Sequence, residues 1–477
     1  MSAGFRTFNP SQNTWNTEEY FPTSEEELTE KLNNLSLAQS IYTKLSSSSR
    51  ADFLRSIQSS LEQRKSKIKV FYLKESGLSN MRFETEWKRT LTTIQLFEQY
   101  LRNQYTFEKT EEFLSDSIRI QKVSVPIGPV LVLGSSNFPL AYSTAGGDAI
   151  AAFAAGCCVL VKAHAMHTGT SVQVAECIEE ARKTVNLPEG IFTHVLDDGF
   201  QLAQRLCLDE RIQAIGFTGS FKGGKALMDL AYSRKNPIPV FAEMGSVNPV
   251  VILDNLSLDQ QTNAAEKLAN SICTDAGQFC TKPGLIFIPE GPTGENFSKL
   301  LKQFVKKTTA VPMLHPNIHR NFENGKEEIR SISNVKFYPS PDAQNGIEGR
   351  WAIAETDIST LMLNQRLQEE VFGPFSLLVT YNSNEELHAG LESLSGQLTG
   401  SVFYEKCSDL VTDCIGILTR KVGRIILNDV PTGVRVTETM HHGGPFPASS
   451  DSRFTAVGQD SILRFQKYVS IQQKNIS

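Results

Sequence analysis

Residues 212–234 read IQAIGFTGSFKGGKALMDLAYSR: an apolar run, a turn of small residues, then a stretch whose apolar positions recur at helical spacing. Strand, glycine-containing turn and helix in that order are the repeating unit of a parallel sheet covered by helices. Within the turn, Gly219 and Gly224 allow the backbone to approach a ligand closely, and the helix after Ser220 offers unpaired N–H groups to an anion. The spacing is not G-x-G-x-x-G, so a turn that merely packs is an equally open reading.

The same texture extends on both sides. VPIGPVLVLG (125–134), CCVLVKA (157–163), IFTHVL (191–196) and PVFAEM (239–244) are short apolar runs separated by helical stretches, which predicts a doubly wound parallel sheet. A second series follows Glu243: PVVIL (249–253), GLIFIP (284–289), SLLVTY (376–381), GSVFY (400–404) and GRIILN (423–428). The chain is therefore expected to form two α/β units joined near residues 243–250. The first hundred residues read as helices, the first capped by Ser24 with three acids in its opening turn. A long helix of small residues is also expected over LAYSTAGGDAIAAFAAG, residues 140–156.

Composition narrows the function classes. A chain of 477 residues exceeds the size at which one core stops growing. Lys plus Arg total 47 against 52 Asp plus Glu, a formal charge of −5 without a basic stripe, which argues against nucleic acid as a partner. No apolar run approaches the roughly 18 residues of a membrane span, and the opening MSAGFRTFNPSQNTW lacks the regions of a signal peptide, so no membrane partner and a cytoplasmic location are expected. The eight cysteines show no Cys-x-x-Cys pair, so neither a metal site nor a disulfide framework is expected.

In such sheets ligands sit at the carboxyl ends of strands. Lys162 ends one strand, where an ammonium can reach a ribose or phosphate or simply be solvated. Asn137 follows another, in LVLGSSNFPL, placed to donate to an oxyanion or to cap a helix. Glu243 ends a third in apolar company, which should raise its pKa toward that of a general base, unless it is a buried acid satisfied by hydrogen bonds. Glu370 and Phe372 lie in the turn EEVFGPFSLL, ordinarily a charged surface turn. Cys280, in DAGQFCTKPG, sits between a helix and a strand, where nearby N–H groups should lower the thiol pKa.

Each motif is weak alone, but their types and order together resemble the aldehyde dehydrogenase superfamily over nearly the whole chain, down to SILRFQKYVSIQ. The resemblance implies a nucleophile at Cys280, a general base at Glu243 and an oxyanion-holding amide at Asn137. It implies Lys162 on the adenosine ribose, Gly219 and Ser220 at the pyrophosphate with Gly224 behind them, and Glu370 with Phe372 near the nicotinamide ribose. Residues 1–109 and 126–243 would bind the dinucleotide, 244–465 would carry the cysteine, and 110–125 with 466–477 would form a small β oligomerisation arm of a homodimer or homotetramer.

Within that superfamily AEMGSVNPV, FTGSFKGGKALMDLA and HHGGPFPASSDSRFTAVG look most like 2-oxoglutarate semialdehyde (2,5-dioxovalerate) dehydrogenases and NADP-dependent long-chain aldehyde dehydrogenases. The expected reaction is oxidation of a small aldehyde, 2-oxoglutarate semialdehyde first and a medium or long alkyl aldehyde second. Arg435, Arg453, His441 and His442, with Phe138, are expected around the substrate. Ala165 stands where many NAD-preferring members have an acid, so NADP should be accepted as well as NAD. A different class, a thiol hydrolase using Cys280 and a histidine, lacks any recognisable partner motif.

Overall fold

The computed structural model describes residues 3–103, 111–115, 118–341 and 346–474. Residues 1–2, 104–110, 116–117, 342–345 and 475–477 lie outside the described residues; they include parts of all three expected regions.

Three helices, Glu25–Tyr42, Ser47–Ser76 and Asn80–Arg102, open the chain. Each begins at a serine whose hydroxyl accepts from a backbone N–H three residues on, and Glu25, Glu26 and Glu27 meet the positive end of the first helix. The helices pack their apolar faces, among them Tyr42, Phe53, Tyr72 and Phe97, into the first core.

That core surrounds a five-stranded sheet, in spatial order Phe192–Val195, Val159–Lys162, Val130–Leu133, Ala214–Thr218 and Val240–Glu243, every neighbouring pair parallel. All five strands coincide with apolar runs read from the sequence. The order reverses between Val130–Leu133 and Ala214–Thr218, so the crevice at a topological switch point opens beside Leu133 and Thr218. Asn137 and Gly219 follow those two strands.

A second sheet of seven strands runs Lys336–Pro339, Ala352–Asp357, Phe375–Tyr381, Leu285–Pro289, Val250–Ile252, Gln397–Phe403 and Val422–Leu427. Only the first pair is antiparallel. Strands Glu111–Ser115, Ile118–Pro126 and Gln466–Lys474 form a separate antiparallel sheet with largely exposed residues on the last strand. Leading into it, the turn Gln459–Phe465 buries Ile462 and Phe465 in the first core, although 244–465 reads as the second unit in the sequence.

The expected helix over 140–156 is shorter, Gly147–Ala155. Residues ahead of it fold back instead: Ser135 N donates to Tyr142 O at 2.9 Å, and a Cβ on Gly134 would meet that oxygen at 2.4 Å. Glu86 fixes the turn by accepting from the N–H groups of Leu140 and Ala141 at 2.8 and 2.9 Å. This compact turn presents Asn137 and Phe138 to the crevice.

Candidate active site

Glu243 ends its strand where the segment around residues 442–450 runs alongside it. Met244 N donates to Ala448 O at 2.8 Å and Ala242 N to Ser450 Oγ at 2.9 Å. That pairing carries His442 inward, where Thr455 Oγ1 accepts from its backbone N–H at 2.8 Å. His442 Nε2 then lies 2.9 Å from Glu243 Oε1, within ion-pair range, although neither carboxylate oxygen meets full hydrogen-bond geometry. The same nitrogen lies 3.8 Å from Cys280 Sγ. The three donor atoms all fall within 4.8 Å of one another, a cluster that a divalent metal can also use.

The thiol is held by a strained approach. After helix Leu258–Cys273 the chain turns through Asp275, Ala276 and Gly277 at φ of 49°, 55° and 64°. Two consecutive non-glycine residues in the left-handed region store strain that the surroundings must enforce. Arg82 supplies part of that enforcement, donating to Asp275 Oδ2 at 2.9 Å while stacking over Phe138 and Phe279 at 4.2 and 4.6 Å. Beyond the thiol, the buried Asn248 donates to the carbonyls of Cys280 and Lys282 at 2.8 and 2.9 Å. Asn137 closes the cluster: its amide donates to Gln278 O at 2.9 Å, two residues ahead of Cys280. An amide has two N–H donors, so one remains for a ligand.

The titration behaviour of the pair reverses both sequence expectations. Burial pushes Glu243 up, but His442, the Cys280 contact and the Arg89 charge together outweigh it and leave the carboxyl below its ordinary value. Burial also pushes the Cys280 thiol well up, and the Glu243 carboxylate pushes it further, with Arg89 partly offsetting. Local N–H groups lose to a buried carboxylate because a thiolate there would face a like charge at contact range.

The groups expected to hold a dinucleotide lie at or after the carboxyl ends of strands of the first sheet, except Glu370 and Phe372, which precede strand Phe375–Tyr381 of the second. Lys162 is buried rather than solvated; its Nζ donates to the carbonyls of Asp197 and Ala163 at 3.0 and 3.4 Å, and burial lowers its pKa against the pull of Asp197 and Asp198. Ala165 opens the short turn that leads into helix Thr168–Thr184. Ser220 caps helix Phe221–Tyr232 by accepting from Gly223 N at 3.2 Å, and Gly219 N donates to Glu243 O at 3.0 Å. Gly224 is needed for packing: a Cβ there would meet Met244 Sδ at 2.5 Å. Glu370 is no surface turn residue. Its Oε1 is buried without a hydrogen-bond partner, a Cβ on Gly245 would meet Oε2 at 2.4 Å, and burial raises its pKa to about 7 against the attraction of Lys282. Phe372 stands half-buried in the same turn.

Around the substrate the expectations divide. Phe138 is buried and meets Tyr142 and Phe279 edge-on at 5.2 and 5.9 Å. His442 belongs with the nucleophile instead of a substrate carboxylate. Arg453 is 79% exposed and paired with Asp451, and Arg435 is exposed too. His441 is half-buried, its pKa lowered by burial and by His442. Arg82, Glu86 and Arg89 were missed. Three charges at i, i+4 and i+7 on the face that also carries Phe83, Thr90 and Phe97 were the available signal, because charge on an apolar stripe needs an internal partner.

The aldehyde dehydrogenase family model matches residues 2–325. The chain is 39% identical to the alpha-ketoglutaric semialdehyde dehydrogenase of Acinetobacter baylyi over 435 residues, 89% of this chain and 82% of that protein. It is 37% identical to alpha-ketoglutaric semialdehyde dehydrogenase 2 of Azospirillum brasilense over 415 residues, 83% of this chain and 77% of that one. Among solved structures it resembles a 1-pyrroline-5-carboxylate dehydrogenase from Thermus with bound NAD, with a TM-score of 0.86 at 18% identity, covering 100% of this chain and 91% of that chain.

Proposed function

The chain belongs to the aldehyde dehydrogenase family, and we propose that it oxidises 2-oxoglutarate semialdehyde to 2-oxoglutarate with Cys280 as the nucleophile. It is an NAD(P)-dependent oxidoreductase acting on aldehydes. The observation that carries the residue roles is the convergence of Cys280, His442 and Glu243 on one point beside Asn137. The substrate rests on the two relatives whose names specify that aldehyde.

The crevice suits a dinucleotide. Lys162 is a buried cation hydrogen-bonded only to neutral carbonyls, Glu370 has an orphaned carboxylate oxygen, and Ser220 heads a helix of 12 residues. A ribose and a pyrophosphate supply the hydroxyls and negative charge those groups lack. On this reading residues 1–109 with 126–243 bind the dinucleotide, residues 244–465 carry the cysteine, and 110–125 with 466–477 join subunits in a cytoplasmic homo-oligomer. NADP is accepted because Ala165 brings no carboxylate against a 2′-phosphate.

His442 Nε2 takes the Cys280 proton, and the adjacent Glu243 carboxylate stabilises the imidazolium. The sulfur adds to the aldehyde carbon, and the oxyanion accepts from the Asn137 amide and the Cys280 N–H. The bound nicotinamide supplies the hydride acceptor. With the thioester formed, Glu243 removes a proton from water, which attacks the acyl carbon; the carboxylate leaves and Cys280 is regenerated.

One wall of the site is apolar, built from Phe138, Phe279, Met440 and Val457, and this favours a second substrate class, alkyl aldehydes. Specificity constants for 2-oxoglutarate semialdehyde, succinic semialdehyde and hexanal decide between them. A tenfold advantage for hexanal overturns the acid-aldehyde reading.

A further inference from the structure

Among the described residues, two guanidinium groups that act electrostatically on the thiol form no ion pair, although Arg89 also acts on the Glu243 carboxylate. Arg89, half-buried on helix Asn80–Arg102, donates from Nη2 to Tyr142 Oη at 2.6 Å and lies over the Tyr142 and Phe138 rings at 4.8 and 5.5 Å. Tyr142 in turn faces the His442 ring, centroids 6.4 Å apart. Arg424 is half-buried on strand Val422–Leu427, one residue after Gly423, where a Cβ would meet Gly443 O at 2.1 Å. This packing sets Arg424 beside the segment that bears His442. Its Nη2 donates to Pro431 O, in the loop whose Thr432 hydroxyl reaches Thr281 O at 3.3 Å. Its Nε is buried without a partner.

The contrast with neighbouring arginines is sharp. Arg82 is paired with Asp275 and Glu86, and Arg464 with Asp148. Among the described residues, neither Arg89 nor Arg424 has a carboxylate within ion-pair distance. Yet each charge acts on the Cys280 sulfur, and the two repel each other, the Arg424 guanidinium being held below its ordinary pKa by burial and by Arg89 while Cys280 and Tyr142 oppose. Two partly desolvated like charges that act on each other are stabilised by an anion placed between them.

We propose that Arg89 and Arg424 form the carboxylate-binding end of the substrate site and select aldehydes that carry an acid group at the far end of a short chain. The inference rests on the acid-aldehyde reading above and assigns its recognition to residues other than Arg435 and Arg453. In 2-oxoglutarate semialdehyde the aldehyde and carboxylate carbons are about 5 Å apart when extended. A guanidinium fork grips the carboxylate in two parallel hydrogen bonds and leaves the aldehyde at the sulfur.

The test measures kcat and KM for 2-oxoglutarate semialdehyde and hexanal in the wild type, Arg89→Met, Arg424→Met and Arg89→Lys, and titrates 2-oxoglutarate into each by calorimetry. We expect the acid-to-hexanal ratio of specificity constants to fall at least tenfold in both methionine variants, chiefly through KM, with 2-oxoglutarate binding weakened alongside and partly restored in Arg89→Lys. Equal losses on both aldehydes, or an unchanged ratio in a wild type that prefers the acid, overturn the assignment while leaving the substrate reading intact. A wild type that prefers hexanal tenfold overturns that reading first, and this inference with it.

Discussion

His442 Nε2 stands 2.9 Å from Glu243 Oε1, with the histidine side chain fully buried and the glutamate 3% exposed. Glu243 therefore has two effects on Cys280. It faces the imidazole that takes the thiol proton in the proposed mechanism, and it adds its own charge to burial in raising the thiol pKa. Replacing it separates the two. Glu243→Gln should slow thioester hydrolysis, so that rapid mixing shows an acyl-enzyme burst followed by slow turnover. The same variant should be alkylated by iodoacetamide faster than wild type at pH 7 to 8, because loss of the negative charge lowers the thiol pKa and increases the thiolate fraction. Slower or unchanged alkylation would contradict the electrostatic account.

His442→Asn removes the proton acceptor while keeping a polar side chain of smaller volume. Positioned acid–base groups contribute about 10²- to 10⁴-fold, so kcat should fall by roughly 10²-fold or more. The loss should shrink as pH rises, since hydroxide-rich solvent can generate thiolate without the imidazole. A pH-independent deficit would mean that His442 serves only as packing.

Cys280→Ala should abolish aldehyde oxidation and leave nicotinamide binding within about threefold, because the groups assigned to the dinucleotide lie on other loops. Turnover above a few per cent of wild type, together with fluorescence titration of the reduced cofactor, is the check; substantial turnover would remove the cysteine from the chemistry.

Cofactor choice is predicted to turn on residue 165. The wild type should use NADP at least as well as NAD, and Ala165→Glu should move the ratio of specificity constants toward NAD by tenfold or more. A carboxylate accepts from ribose hydroxyls and repels a 2′-phosphate, and like charges in a partly buried site cost a few kcal/mol, about tenfold per 1.4 kcal/mol. An unchanged ratio would locate the discrimination elsewhere.

Local sequence carried the strands of the first sheet because each is a short β-branched run closed by Gly, Pro or a polar residue, as in CCVLVKA. It missed Ala352–Asp357, whose AIAETD mixes alanines with two acids and has no apolar run; its membership in the sheet depends on a parallel partner, Phe375–Tyr381. Residues 140–146 have helical composition but fold as a turn because Glu86, 54 residues earlier, binds Leu140 N. Cys280 and Glu243 were legible as strand-end and loop chemistry, whereas the lowered carboxyl and raised thiol were not. The thiol is raised by burial and by Glu243, and the carboxyl is lowered largely by His442, which lies 162 residues from the cysteine along the chain. Arg453 pairs with Asp451, two residues away, an ion pair that no sequence pattern signals.

The raised thiol pKa also bears on how this protein ages. Peroxide and most electrophiles attack the thiolate, so a sulfur kept protonated by burial and by an adjacent carboxylate should enter the sulfenic, sulfinic and sulfonic series slowly. In the proposed cycle a free thiolate exists only before the sulfur adds to the aldehyde and just after the thioester is hydrolysed, so idle molecules should resist oxidation and wear should follow turnover more than storage.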